Sequence, residues 1–365
     1  MPKTLWGSPL CSRVVCVLFL IMLTKLTSLG LAASAAAGMA SAAHPSAAAP
    51  KLYMLNNSKV VPGTPTLLAY DHDTNKYATV AQLPMEDSVY EIADAAVVCG
   101  DKFHAVWTNV PIADGILSID LNSGQTKTYT NGGVPGQIFH AFACGDKPGS
   151  LLALTTTPKS GGGLDFQLVT YDFASETTSI VGKFDSDSQH PTNFAGFDQG
   201  FHFTADRKQL YATFPDNEFE PKIRGGSLHV MDTTSGEVTQ KFSFPAGVGM
   251  PYGIYPNGKG TFKGAFMNTP SQKITMCDIS LPSDDSSAQG SGEASVSNCE
   301  AAPWLNSGSA PMPVCQDGNL YTIEHNFSPG MSQKLTAVDL QTGATNFQVD
   351  MAMVLPGTFI GSMAC

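Results

Sequence analysis

Six times along the chain an apolar run stops at an aspartate and turns: LLAYDHDTN from Leu67, ILSIDLNSG from Ile116, LVTYDFASE from Leu168, LHVMDTTSG from Leu228, ITMCDISLP from Ile274 and LTAVDLQTG from Leu335. The aspartates are Asp71, Asp120, Asp172, Asp232, Asp278 and Asp339, spaced by 49, 52, 60, 46 and 61 residues. A period near fifty residues made of short strands marks a β-propeller in which each unit is a four-stranded blade. The chemistry of the string is local. An aspartate ending a strand accepts hydrogen bonds from backbone N–H groups two or three residues on, and glycine then supplies the positive φ that closes the hairpin. Gly124, Gly236 and Gly343 hold that place; Asn75 holds it in the first copy and Glu176 in the third. In the fifth copy the turn gives way to PSDDSSAQGSGEASVSN, too polar and too rich in Ser and Gly to pack, so that 281–298 is expected to be a mobile insertion.

A second string precedes each of these: VVCGDKFHAVWTN from Val97, FACGDKPGSLLALTT from Phe142, FHFTADRKQLYATF from Phe201, YGIYPNGKGTFKGAFMN from Tyr252 and PVCQDGNLYTIEHN from Pro313. Each reads as a strand, a tight turn and a second strand. The sixth copy is split: FIGSMAC at Phe359 to Cys365 supplies a first strand and KLYMLNN at Lys51 to Asn57 a second. Pairing of these two segments closes the ring without an open sheet edge. The expectation is therefore an all-β fold, a six-bladed β-propeller over 44–365, closed by its terminal strands.

Residues 1–43 carry Lys3 and Arg13, the apolar run Val14 to Leu23, Lys25 and an Ala/Ser-rich tract. That order is the one a secretory signal peptide requires, and it predicts an exported, extracellular protein. The apolar core alone is shorter than the roughly 20 residues that span a bilayer, though an uncleaved anchor is the alternative reading. Without this leader, 17 basic residues face 31 acidic ones, a balance that repels nucleic acid and anionic lipid. The remaining partners are a small molecule, a glycan or a protein, with no membrane span after cleavage, and the chain is expected to be monomeric.

Outside the leader stand Cys99, Cys144, Cys277, Cys299, Cys315 and Cys365, an even number with no C-x-x-C pair, which favours disulfides in an exported chain. Cys99, Cys144, Cys315 and Cys365 each end the first strand of a blade. Bridges Cys99–Cys144 and Cys315–Cys365 between adjacent blades, with Cys277–Cys299 at the insertion, are the pairing this register suggests; reduced, buried cysteines are the alternative, because inner strands of neighbouring blades can be too far apart.

The repeat also disposes of apparent motifs. YDHDTN at Tyr70 resembles a metal cluster, yet Asp71 is the repeat aspartate and His72 and Asp73 are turn positions. There is no G-x-S-x-G elbow, H-E-x-x-H, EF-hand or P-loop. A ligand is expected at the channel mouth formed by the loops entering each inner strand and those joining second to third strands. Five of six of the latter begin with an amide: Asn57, Asn109, Asn217, Asn268 and Asn326, with Thr157 in the other. Glu324 and His325 stand near them, and Glu91, His140, His190 and Asn193 lie on the entering loops. Such a ring can hydrogen-bond sugar hydroxyls or coordinate Ca²⁺; ordinary turn chemistry is the alternative. His104, His202 and His229 read as strand residues. Two glycosylation sequons begin at Asn56 and Asn326.

The stretch DQGFHFTADRKQLYATF…GGSLHVMDTTSGEV resembles the blades of the six-bladed gluconolactonase, paraoxonase and strictosidine-synthase-like superfamily. The lactonase members hold a divalent cation in the channel. That resemblance implies Glu91, Asp198 and Asn217 as metal ligands, with Asn109 or Asn268 as further amides. Most entering loops lack the family's N-G signature, and Tyr252 or Pro311 stands where a ligand is expected. Two functions follow: a secreted propeller that binds a partner at the channel mouth, or a lactonase-like hydrolase or isomerase in which Ca²⁺ polarises a carbonyl.

Overall fold

The computed structural model describes residues 52–56, 65–71, 74–83, 95–109, 113–130, 137–158, 164–184, 200–215, 225–257, 261–268, 271, 273–282, 290–305, 313–315, 318–326, 332–351 and 360–365. These are almost entirely strand and turn. In chain order the strands are β1 (Leu52–Asn56), β2 (Thr66–Asp71), β3 (Lys76–Gln82), β4 (Ala96–Cys99), β5 (Lys102–Asn109), β6 (Ala113–Asp120), β7 (Thr126–Tyr129), β8 (Ile138–Cys144), β9 (Ser150–Pro158), β10 (Leu164–Asp172), β11 (Thr177–Phe184) and β12 (Phe201–Phe203). They continue with β13 (Gln209–Pro215), β14 (Gly226–Asp232), β15 (Val238–Ser243), β16 (Met250–Pro256), β17 (Thr261–Asn268), β18 (Lys273–Ser280), β19 (Gly290–Glu293), β20 (Ser295–Ala301), β21 (Asn319–Asn326), β22 (Ser332–Asp339), β23 (Thr345–Asp350) and β24 (Ile360–Ala364).

They form six antiparallel sheets, one per repeat: β24-β1-β2-β3, β4-β5-β6-β7, β8-β9-β10-β11, β12-β13-β14-β15, β16-β17-β18-β20 and β21-β22-β23. We call these blades 1 to 6. Blade 1 is the split one. β24 pairs with β1 in the register Tyr53↔Ala364, Met54↔Met363, Leu55↔Ser362 and Asn56↔Ile360, so one blade is sewn from both ends of the domain. In blade 6 the described part of the inner segment, 313–315, makes a single bridge, Val314↔Leu320.

That the blades form a closed ring follows from the core. The buried apolar residues fall into six clusters, each shared by two neighbouring blades: Leu67 with Phe103, Val106 with Leu151, Leu168 with Leu210, Val230 with Ile254, Met276 with Leu340, and Tyr321 with Met54. Six modules in an open row have five interfaces; the sixth, between blades 6 and 1, requires closure. Because every blade is covered on both faces, the middle strands lose their alternation: β14 is buried along almost its whole length, whereas the outermost β3 and β23 alternate.

The repeat aspartates do what their chemistry dictates. Asp120 Oδ1 accepts from the N–H groups of Asn122 and Ser123 and from the Ser123 hydroxyl, at 3.1, 2.7 and 2.8 Å. Asp172, Asp232 and Asp339 repeat the pattern with Ser175, Ser235 and Thr342. These backbone donors hold all four carboxyls below the ordinary value. Asp278 departs from it, pairing instead with Lys263 Nζ at 2.6 Å and Asn298 Nδ2 at 2.8 Å. Gly236 serves a second purpose besides its φ of 71°: the turn packs on the backbone of Gly182 in β11, with no room for a side chain.

The region expected to be a mobile insertion, 281–298, contains two strands. Residues 283–289 lie outside the described residues, but β19 adds in parallel to the outer edge of blade 4, opposite β15, and β20 is the outer strand of blade 5. The open backbone edge of β15 accepts a strand whatever its side chains, so GSGE pairs despite its composition. The insertion thus straps blade 5 to blade 4. All six cysteines outside the leader are paired: Cys99–Cys144 joins blades 2 and 3, Cys315–Cys365 joins blades 6 and 1, and Cys277–Cys299 links the adjacent strands β18 and β20. Inner strands lie close enough for the first two, with Cα atoms 5.5 Å apart in each. No helix among the described residues is long and apolar enough to cross a membrane.

Candidate functional site: the central channel

The inner strands β4, β8, β12, β16 and β24 each pair on one side only. Their other edges face the axis of the ring, together with residues 313–314 of blade 6. Between them lies a cavity of about 460 Å³ to which all six blades contribute. Its walls are mostly small or apolar, among them Ala96, Val98, Ala143, Phe201 and Val314. The polar side chains are few: His140, His202, Thr204, Arg207 and Tyr255. Among the described residues no carboxylate side chain lines it. Unpaired strand edges supply N–H and C=O groups between these side chains, so the surface combines apolar bulk with hydrogen-bonding capacity.

His140 sits in β8, where a bulge between Phe139 and Ala141 breaks the pairing with β9. Its Nε2 lies 2.7 Å from Thr156 Oγ1, and its ring approaches those of Phe166 and Phe201. One nitrogen is therefore committed to the blade. His202 alternates with Phe201 and Phe203 on β12 and so faces blade 5, where its ring meets Tyr255 edge-on with centroids 6.3 Å apart. Protein packs closely around it and disfavours the charged form, lowering its pKa to about 4, while part of the residue stays open to the channel. Neither His202 nitrogen has a hydrogen-bond partner among the described residues. Burial also pushes the Tyr255 phenol well above its ordinary value.

Arg207 occupies the end of the channel where the inner strands turn into the second strands. The turn is a tight one. Arg207 N donates to Thr204 O at 2.8 Å, Thr204 N to Gln209 O at 2.9 Å, and the Thr204 hydroxyl to Asp206 Oδ1 at 2.6 Å. Arg207 itself takes a φ of 60°, which directs it across to blade 3. There Nη1 donates to the carbonyl oxygens of Cys144 and Gly145, both at 3.1 Å. The guanidinium is held by backbone acceptors rather than by a carboxylate, so its charge is not neutralised by a partner among the described residues.

Of the residues expected at the opposite mouth, Glu91, His190, Asn193, Asp198 and Asn217 lie outside the described residues, as does Asn57. Asn109, Asn268 and Asn326 end the second strands β5, β17 and β21, and Glu324 and His325 precede Asn326, so the fold brings these positions to one end of the ring. Asn268 is engaged locally, its Oδ1 accepting from Ser271 N and Oγ at 3.2 and 3.1 Å. His140 was expected on an entering loop and instead lies inside the inner strand, because β8 begins at Ile138. Asn56 is buried, and its amide donates to Thr66 Oγ1 at 3.4 Å. His104, His202 and His229 are strand residues, as their patterns imply. His202, Tyr255 and Arg207 were not read as channel residues. FHF and MPYGIYP look like core strands, and ADRK looks like a turn. Only the one-sided pairing of the inner strands reveals which of them line the axis.

No family model matches the chain, and no curated protein matches it. Solved structures to which it is similar include TolB from Acinetobacter baumannii, with 14% identity and a TM-score of 0.43 over 86% of this chain and 65% of that one. The β-propeller domain of the Trilobed protease from Pyrococcus furiosus gives 8% identity and a TM-score of 0.37 over 72% of each chain. A thermostable family-43 glycoside hydrolase gives 10% and 0.43 over 70% of this chain and 91% of that one. The chain spans just under two thirds of the length of the TolB chain. The sheets and core clusters make this chain a six-bladed β-propeller with an axial channel.

Proposed function

We propose that this chain is an exported propeller, with 1–43 as its leader and 44–365 as the exported domain, whose central channel holds a small molecule. The observation that carries the proposal is the cavity itself. Its volume of about 460 Å³ falls in the range of small-molecule sites, and apolar walls with a few directed polar groups are the usual composition of such sites. Three disulfides accord with an oxidising compartment. The likeness of the blade string to the gluconolactonase, paraoxonase and strictosidine-synthase-like superfamily supports the ring and not a particular reaction, since propellers host many chemistries. A Ca²⁺-dependent hydrolase would need Glu91, Asp198 and Asn217, all outside the described residues, and no observation favours it over binding.

The test is native mass spectrometry of the purified protein after incubation with a library of small organic compounds. The expected result is a set of one-to-one adducts that vanish in Ala96→Phe, which fills the channel from β4, and persist in Ile180→Ala, on the exposed outer strand of blade 3. Adducts unchanged by Ala96→Phe, or none with any compound, would overturn the proposal.

A further inference from the structure

The channel wall carries a fixed cation in a molecule whose net charge is negative. The chain carries a formal net charge of −11, yet the side chains of the described channel wall comprise one guanidinium, two imidazoles and no carboxylate, the α-carboxyl group of Cys365 being the one acidic group on it. The cation is fixed in place. Nη1 of Arg207 is tied to Cys144 O and Gly145 O, and the Thr233 hydroxyl donates to the Arg207 carbonyl. Asp206, the adjacent carboxylate, accepts at Oδ1 from the Thr204 hydroxyl and Lys208 N–H and makes no ion pair with Arg207. The remaining N–H groups of the guanidinium fork have no acceptor among the described residues. A planar fork fixed beforehand suits a carboxylate better than a neutral group, because little ordering remains to be done on binding. Further along the wall, Phe201, Val98, Ala143 and Val314 offer an apolar surface, and His202, neutral near neutral pH, offers one donor and one acceptor.

Resting on the channel as the binding site, we infer that its ligand is a small organic anion. Its carboxylate lies on Arg207 at the turn end of the channel, and its apolar body lies along the inner strands toward His202 and Tyr255. The acidic exterior repels anions at long range, so recognition is local, and affinity depends on the fork and not on the field of the whole protein.

The experiment uses three probes of one shape: 2-naphthylacetate, 2-(2-naphthyl)ethanol and 2-(2-naphthyl)ethylamine, titrated calorimetrically into the purified protein, Arg207→Gln and Arg207→Lys. The expected order is carboxylate over alcohol by about tenfold or more, with the amine weakest. Arg207→Gln should abolish the carboxylate's advantage while leaving alcohol binding unchanged, which also shows that the variant is folded. Arg207→Lys should restore part of the advantage. Alcohol and carboxylate binding equally well, with no effect of Arg207→Gln, would overturn the anion assignment while leaving the channel as a small-molecule site. Binding of none of the three would count against both.

Discussion

Gly236 and Gly343 hold the same place in the same aspartate turn, with φ of 71° and 72°, and differ in what lies over them. A Cβ added at residue 236 would fall 2.4 Å from Gly182 Cα and 2.5 Å from Gly182 N, on the backbone of blade 3, whereas one added at residue 343 would meet nothing within 4 Å. Gly343→Ala therefore carries only the strain of a left-handed alanine, about 1–2 kcal/mol. Gly236→Ala carries that strain and a backbone overlap as well. Neither partner has a flexible side chain to move, so relief requires blades 3 and 4 to part, which adds about 1–3 kcal/mol if it resembles overpacking in a core. Gly182→Ala approaches the same contact from the other blade, its Cβ falling 2.3 Å from Gly236 O without any positive-φ strain. Equilibrium urea unfolding of the three variants and the parent gives the ΔΔG values, provided the slopes agree. The expected order places Gly236→Ala clearly below Gly343→Ala in stability. Two values within about 0.5 kcal/mol of each other would refute the docking of the Gly236 turn on blade 3 as a source of stability.

His104 is buried in β5, stacked on Phe173 with ring centroids 4.7 Å apart, and burial followed by the charge of Lys102 lowers its pKa to about 4. The unfolded chain takes up this proton first, so stability falls as pH drops from the ordinary histidine value toward 4, by about 2 kcal/mol on reaching about pH 5; denaturant unfolding against pH should show that slope flattened in His104→Phe, and parallel profiles would refute it. The turn aspartates act lower down: their depressed values stabilise the fold above the ordinary carboxylate pKa of 3.8, and this is lost as pH falls through the folded values, so Asp120→Asn should reduce the steepness of acid unfolding there. Glu176 stands at the turn position with φ of 52°, and Glu176→Gly should raise stability by about 1 kcal/mol, less whatever its exposed pairing with Lys127 contributes, as read from the urea midpoint.

The fold was legible because its signals are local. An apolar strand that stops at an aspartate and turns is a local signal, completed by serine or threonine and then glycine in three copies, so six copies of it reveal six modules without any knowledge of contacts. The split copy revealed the closure for the same reason: NLYTIEHN and KLYMLNN are the same strand in two blades. The cysteine register followed, since four of the six end equivalent strands. What could not be read was decided by tertiary context. β19 has the composition of a linker and becomes a strand only because the outer edge of blade 4 is open beside it. His202 and Tyr255 lie in strands whose pattern says core, and it is the missing neighbour on the axial side that makes them wall residues. Arg207 looked like an ordinary turn cation, and its reach across to the carbonyls of Cys144 and Gly145 depends on the distance between two blades. The amides were a fair reading of position, since Asn109, Asn268 and Asn326 do end equivalent strands, but position alone does not separate a ligand group from a turn residue such as Asn268.

The channel exists only if the two ends of the domain share one sheet, and amide hydrogen exchange measures that directly. The account predicts that the amides of Tyr53 and Leu55 in β1 and of Ser362 and Ala364 in β24 that point into the β1–β24 ladder exchange as slowly as those of β10, in the middle of blade 3. Exchange of β1 and β24 at the rate of the exposed turns, while β10 stays protected, would contradict it.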